Sequence, residues 1–422
     1  MKKLQFGRYD AACLAAFIGY ALCSLSIPIS LVAMGKDLNF PLDRGGMAAG
    51  GVLHLTRSIA IVTALLVCGP AAARIGKRKS MGLSVLLMGG GILLCALAPA
   101  YGFILPFLLI AGFGEGICEG IATPFVQDLH ADAPERYVNI SHSYWSIGIG
   151  ICVLGAGGLL SAGISWRFVL ALAGSLTMLA APLFLWKENP RKKYPELRTA
   201  SNMTEIRQLS GRIFKTPRFW LHCLAMFMGA GAEYCLTFWS AAYLQLTFQT
   251  TAWAAGLGTA AIGLGMFIGR NFFGFIARED NLKRNLILAA GGTIPLILIL
   301  AGISPELIPS GKLFFILLLA VLTCCGIGIA PFWPTLQVYS VQQMRELDST
   351  LMYIYLSATG IPGCGFFTWL IGVLGDRFGL RGAFFLLPVT LILYILILLL
   401  DGRLHSPKAE SSGKKSVPAI PS

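Results

Sequence analysis

Charge is what this sequence has least of. Asp, Glu, Lys and Arg make up 13% of its 422 residues while 56% are hydrophobic, and the mean hydropathy is +0.72. A chain of that length and composition cannot stay soluble as a folded domain, so the solvent around most of it is lipid. Other absences narrow the chemistry. There is no Walker loop, no G-x-S-x-G elbow and no H-E-x-x-H pair, which leaves no means of hydrolysing a nucleotide within the chain and points away from an enzyme. The eleven cysteines fall singly or as Cys324 and Cys325, without the C-x-x-C pairing of a metal site. They read as small packing residues, and neither a metal nor a cofactor is expected. No basic patch interleaved with aromatics stands out, so the net charge of +13 is not a nucleic-acid footprint.

What is present is a series of apolar runs. A hydrocarbon core about 30 Å thick needs roughly 20 apolar residues per helical crossing. Twelve such runs lie near 10–34, 46–71, 80–98, 101–126, 138–161, 166–186, 219–244, 252–276, 285–303, 312–338, 349–373 and 380–400. They are too long for barrel strands, so the backbone must satisfy itself in helices. The first is too long and too weakly bounded for a cleaved signal peptide. The expected fold is an all-α membrane protein of twelve transmembrane helices. Lys and Arg crowd one set of loops, among them Arg74, Lys77, Arg78, Lys79 and the stretch 187–218, and leave only Lys36, Arg44, Arg167, Lys312, Arg377 and Arg381 on the other side. The positive-inside rule then places both termini in the cytoplasm of a cell whose plasma membrane the chain spans.

The polar stretch 187–218 divides the spans six and six. It predicts a bundle over 1–186, a cytoplasmic linker over 187–218, a second bundle over 219–403 and a disordered tail over 404–422. The bundles echo one another: "GIATPF" at 120–125 matches "GIAPFWP" at 328–334, and "SAGISWRF" after the fifth run sits where "GVLGDRFGLR" follows the eleventh. Weak internal symmetry of this kind marks secondary transporters, with a site between the repeats.

"GPAAARIGKRKS", 69–80, resembles the G-x-x-x-D-R-x-G-R-R signature of the major facilitator superfamily. Gly69, Arg74, Gly76, Lys77 and Arg78 match, and Ala73 replaces the Asp. A degenerate echo, "GRNFFGFIAREDNLKR", follows the eighth run. The resemblance extends from the first run to the twelfth. It implies two pseudo-symmetric six-helix bundles that rock about a central site, with the signature at the cytoplasmic gate. The family's Asp acts as a charged latch between the halves, and Ala73 puts that latch in doubt. Within the family, "CEGIATPFV" resembles the E-x-x-x-N-P-[FY]-[VT] stretch of the fucose permease branch of sugar-proton symporters. Glu119, Pro124, Phe125 and Val126 fit it, Thr123 replaces the Asn, and the first run lacks that branch's acidic residue.

A charge at the bilayer centre costs at least about 2.5–3.5 kcal/mol on insertion scales, so each such residue needs a partner or a task. Arg57, Glu115, Glu119, Glu233 and Arg270 lie within the runs, joined by His54, His142 and His222. The i, i+4 spacing puts Glu115 and Glu119 on one helix face, where Gly112 and Gly116 let a helix or a cavity come close. Two carboxylates so placed in low dielectric cannot both ionise cheaply, which suits proton coupling; the alternative is a structural pair with Arg57. Arg57 either holds one Glu as a counter-ion or clamps an anionic substrate, and His54 extends either network. Glu233, Tyr234 and Trp239 in "GAGAEYCLTFWSAAY" combine a carboxylate with flat faces that suit a polyol, while Tyr243 reads as an interfacial anchor. His142 and Trp145 share a face near the cytoplasmic entrance, and Arg270 is expected to snorkel or brace the gate. The expected function is transport of a small polar solute, a monosaccharide or derivative, coupled to H⁺, by a chain that works as a monomer in the bilayer. A proton-coupled exporter of amphipathic compounds and an organic-anion symporter are the alternatives, with a non-transporting sensor behind them.

Overall fold

The computed structural model describes residues 6–130, 134–186, 193–195, 203–278, 280–304, 306 and 310–404. Among them every long element is an α-helix. In the first half these are α1 (Arg8–Asp37), α2 (Met47–Ile75), α3 (Lys77–Leu97), α4 (Tyr101–Leu129), α5 (Pro134–Ser161), α6 (Trp166–Met178) and α7 (Ala181–Leu185). After a short α8 (Met203–Phe214) come α9 (Pro217–Phe248), α10 (Ala252–Ile276), α11 (Leu282–Gly302), α12 (Gly311–Ile329), α13 (Pro334–Gln343), α14 (Ser349–Ala383) and α15 (Leu386–Leu404). Eleven stretches are long and apolar enough to cross a membrane, and Leu386–Asp401 is a shorter apolar helix that supplies the twelfth. Much of the expected linker and tail, 187–192, 196–202 and 405–422, lies outside the described residues.

Two crossings are each built from two helices, and the breaks have local causes. Pro182 stands in the first turn of α7 and Pro334 opens α13, because proline's missing N–H costs nothing where a helix starts. The repeated Gly-Ile-Ala motif diverges here. Pro124 is absorbed inside α4, whereas Pro331 and Pro334 divide α12 from α13. Gly76, at φ 89°, lets α2 turn into α3 with no loop between them, a backbone conformation that favours glycine.

The repeat survives in how helix ends are finished. Arg167 at the start of α6 donates from Nη1 to the carbonyls of Ala96 and Ala98 where α3 ends, at 3.1 and 2.6 Å. Arg381 donates from Nη2 to Ile303 O where α11 ends, at 2.7 Å. Each half thus uses an arginine to satisfy open carbonyls of its third crossing.

Both ends of the described chain lie on one side, termed the terminal side, since the crossings are even in number. On the opposite, far side, α2 meets α14 and α5 meets α10 across the two halves. A Cβ at Gly372 would strike the Met47 carbonyl, and one at Gly256 the Val153 carbonyl. Small residues allow this approach where lipid offers no hydrophobic drive to bring helices together.

Candidate functional site

Arg57 lies on α2 at 3% exposure and Glu115 on α4 at 0%. The guanidinium grips the carboxylate as a fork: Nε donates to Oε2 at 2.8 Å, Nη2 donates to Oε1, and Nη1 reaches Ser24 O on α1 at 3.1 Å. Gly112 and Gly116 set α4 against the backbone of Arg57 and Ile61, so the small residues beside the two glutamates admit a helix there. Three helices of the first half are tied by one fully engaged ion pair, the form in which a buried charge is tolerated.

Glu119, one turn further along α4, is only half-buried. Its carboxylate makes no hydrogen bond or ion pair among the described residues. The charges acting on it are Arg270 from the other half and Glu115 from its own helix, and the Tyr20 ring of α1 lies in its field. The expected Glu pair is therefore divided in role, with Glu115 locked and Glu119 free.

Arg270 was expected to snorkel or brace a gate, and the structure turns it inward. Its Nη2 donates to Glu233 Oε1 on α9 at 3.2 Å, and the guanidinium sits 5.9 Å from the Trp145 ring centroid on α5. This pair is half-made, since Arg270 Nε and Glu233 Oε2 are buried without partners. A buried polar atom left open carries a desolvation cost of about 1–3 kcal/mol that a ligand or a rearrangement recovers.

The remaining candidates border the same region. The His54 ring stacks on Tyr234 at 4.0 Å with planes 11° apart, and Phe238 flanks it at 5.6 Å. Tyr234 OH shares a 3.4 Å hydrogen bond with Ser24 Oγ, which links α9 to the helix holding Arg57. His142 Nε2 and Thr123 Oγ1 are 3.1 Å apart, so the residue standing where the resemblance expects Asn holds the histidine. Phe17 lies 4.6 Å from the His142 ring.

Trp239 departs from expectation: it is fully buried and its Nε1–H donates to Thr368 O at 3.0 Å, which seats it between α9 and α14. Tyr243 is not an interfacial anchor, because it is buried, stacks on Phe384 and donates to Leu300 O at 2.7 Å. Hydrophobicity along one helix cannot distinguish a lipid-facing ring from one facing a neighbour.

The signature residues brace the first half internally. Lys77 Nζ contacts both Asp128 oxygens at 2.9 and 2.7 Å, Tyr194 OH donates to the same carboxylate at 2.8 Å, and Arg78 donates to Phe184 O. Arg74 and Gly69 are exposed.

Sequence reasoning missed three acids. Asp128 holds Lys77. Asp401 accepts from Arg218 at 2.7 and 3.0 Å and from Tyr339 OH at 2.6 Å, with His222 Nε2 at 3.2 Å. Asp376 accepts from the backbone of α2. All three sit at the ends of apolar runs, where an acid looks like part of a loop.

The family model of the Major Facilitator Superfamily matches residues 12–363. An MFS-type efflux pump of Mycolicibacterium smegmatis is 24% identical over 326 residues, 74% of this chain and 72% of that protein. Bypass of stop codon protein 6 of Saccharomyces cerevisiae is 24% identical over 176 residues, 40% of this chain, and the match spans only 34% of the yeast protein's length. Among solved structures, a bacterial homolog of the human lysosomal transporter Spinster, inward-facing and unoccupied, superposes with a TM-score of 0.71 at 16% identity, covering 95% of this chain and 98% of that one. A D-xylose-proton symporter gives 0.72 at 13% identity, covering 93% and 96%. At such identities the likeness is one of fold.

Proposed function

The chain belongs to the Major Facilitator Superfamily, and as a multi-pass membrane transporter of that family we propose that it carries a small, uncharged polar solute together with H⁺. The carrying observation is the lone carboxylate of Glu119 between the halves. Of the charged groups in the middle of the bundle, Arg57 matches Glu115 and Arg270 matches Glu233. Glu119 is left over, and an ionised carboxylate without a fixed partner opposes any step that encloses it. A proton removes that charge and lets the loaded carrier reorient by alternating access.

The same balance disfavours an anionic cargo, which would enlarge the negative excess. Glu233 Oε2 and Arg270 Nε, buried without partners, become an acceptor and a donor for hydroxyl groups once the half-made pair rearranges, and the half-buried rings of Trp145 and Tyr234 border that pair. A monosaccharide or derivative meets these demands. The stacked wall of His54, Tyr234 and Phe238 supports a second reading, proton-coupled export of an amphipathic compound. With the termini in the cytoplasm, as the loop charges indicate, the first reading is uptake across the plasma membrane.

Reconstituted vesicles under an inward proton gradient test this, with radiolabelled D-xylose and a panel of neutral sugars, sugar acids and cationic dyes as probes. The wild-type protein is expected to accumulate a neutral solute. Glu119→Gln is expected to lose accumulation yet keep equilibrium exchange, which does not require the carrier to return empty. Accumulation by Glu119→Gln equal to wild type would remove Glu119 as the coupling group.

A further inference from the structure

We propose that Asp376 and Ser161 are the positioning residues of the far-side gate, each closing it by capping a helix that belongs to the other half. The first four N–H groups of a helix have no partner within it and carry its positive end. The α2 helix begins at Met47 behind Gly46, which supplies no side-chain cap. The caps come from α14: Asp376 Oδ1 accepts the Met47 N–H at 2.8 Å and Oδ2 accepts the Ala48 N–H at 2.9 Å. At the pseudo-equivalent place in the second half, the Trp253 N–H in the first turn of α10 donates to Ser161 Oγ at the end of α5, at 2.8 Å. Helices α2 and α10 are the second crossings of their halves, and α14 and α5 are the fifth. The far side is thus closed by a reciprocal exchange of caps.

The sequence around Asp376 explains why an acid stands there. Gly372, Asp376, Arg377 and Gly379 carry the spacing that Gly69, Ala73, Arg74 and Gly76 carry on the terminal side. Gly379 repeats the positive φ of Gly76, 71° against 89°. This spacing and glycine turn thus occur on both sides, and the carboxylate missing at position 73 is present at 376. Asp376 makes no ion pair among the described residues, so the two amides are its anchors. The glycine contacts at Gly372 and Gly256 lie beside the two caps. A recess of about 670 Å³, lined in part by Lys36, Met47, Gln249, Gly379 and Arg381, opens at this edge. Opening the far side exchanges both caps for water and parts the packed glycines together. A latch on this side without its counterpart at 73 weights the protein toward the far-closed conformation.

Spin-label distances measure the gate without a substrate. Exposed Cys324 is replaced by Ser, the ten buried cysteines are retained, and labels are placed at exposed positions: Arg44 and Lys312 for the far side, Lys79 and Lys215 for the terminal side. In Asp376→Ala the far-open population is expected to rise roughly tenfold, the scale of one charged hydrogen bond. Terminal-side distances shorten in the same samples, with Ser161→Ala smaller in the same direction. If Asp376→Ala does not fold, Asp376→Asn carries the test, since its amide meets the α2 N–H groups with at most one acceptor. A gate predicts opposite changes on the two sides. Unchanged distances, or broadening on both sides with a lowered melting temperature, overturn the proposal.

Discussion

Two arginine–glutamate pairs occupy the centre of this protein, and their residues differ in how completely they are satisfied. Arg57 and Glu115 exchange two bonds and a third goes to Ser24 O, whereas Arg270 and Glu233 share one and leave an atom each without a partner. The first pair is a fixed tie and the second is adjustable. Removing one member of a buried pair strands the other's charge, at about 3–5 kcal/mol. Arg57→Gln is therefore expected to lower the melting temperature of the purified protein strongly, and Arg57→Gln with Glu115→Gln to recover most of the loss. If Arg57→Gln alone melts like wild type, the tie is not structural. The sequence showed that both glutamates and Arg57 would lie inside the bundle, because apolar runs surround them. It could not assign the partner, since i, i+4 spacing places two carboxylates on one face and leaves open which of them meets α2.

Crossing helices were legible for a physical reason: a lipid-embedded segment must be apolar along its whole length, so hydropathy alone finds it. Their ends and breaks were less so. The parting of α12 from α13 depends on Pro331 and Pro334 acting together, and Pro124 in the matching motif does not break α4. Asp401 escaped notice because it closes the last apolar run. It gathers Arg218 from α9, Tyr339 from α13 and His222 from α9, at 1% exposure. Three helices of the second half are pinned at their terminal-side ends by one carboxylate. Asp401→Asn is expected to destabilise the protein by about 3 kcal/mol, since it weakens charged bonds worth about 1.5–3 kcal/mol each. Proteolysis or hydrogen exchange would show the loosening concentrated in α13 and the end of α15. Uniform exchange through the second half would argue against a local pin.

At the scale of the whole molecule, the internal repeat and the loop charges predicted two halves, and the contacts between them were hidden because they join residues far apart in sequence. Glu119 and Arg270 belong to different halves, and only the folded protein puts one in the field of the other. Their opposition makes the charge balance of the centre a property of the assembled pair of bundles. Arg57 and Arg270 stand against Glu115, Glu119 and Glu233, so one carboxylate is in excess when all are ionised. Removing Arg270 strands Glu233 as well and doubles the excess. Arg270→Gln is therefore expected to lower the melting temperature of the purified protein, because it leaves two uncompensated carboxylates in the bundle. Arg270→Gln with Glu233→Gln should recover most of the loss, and Glu119→Gln should melt at or above the wild type, since it removes the carboxylate in excess. Thermal melting of the four detergent-purified proteins gives these differences. Equal melting of all four would mean that the central charges are balanced by groups other than each other, and the argument for a neutral cargo would fall with that result.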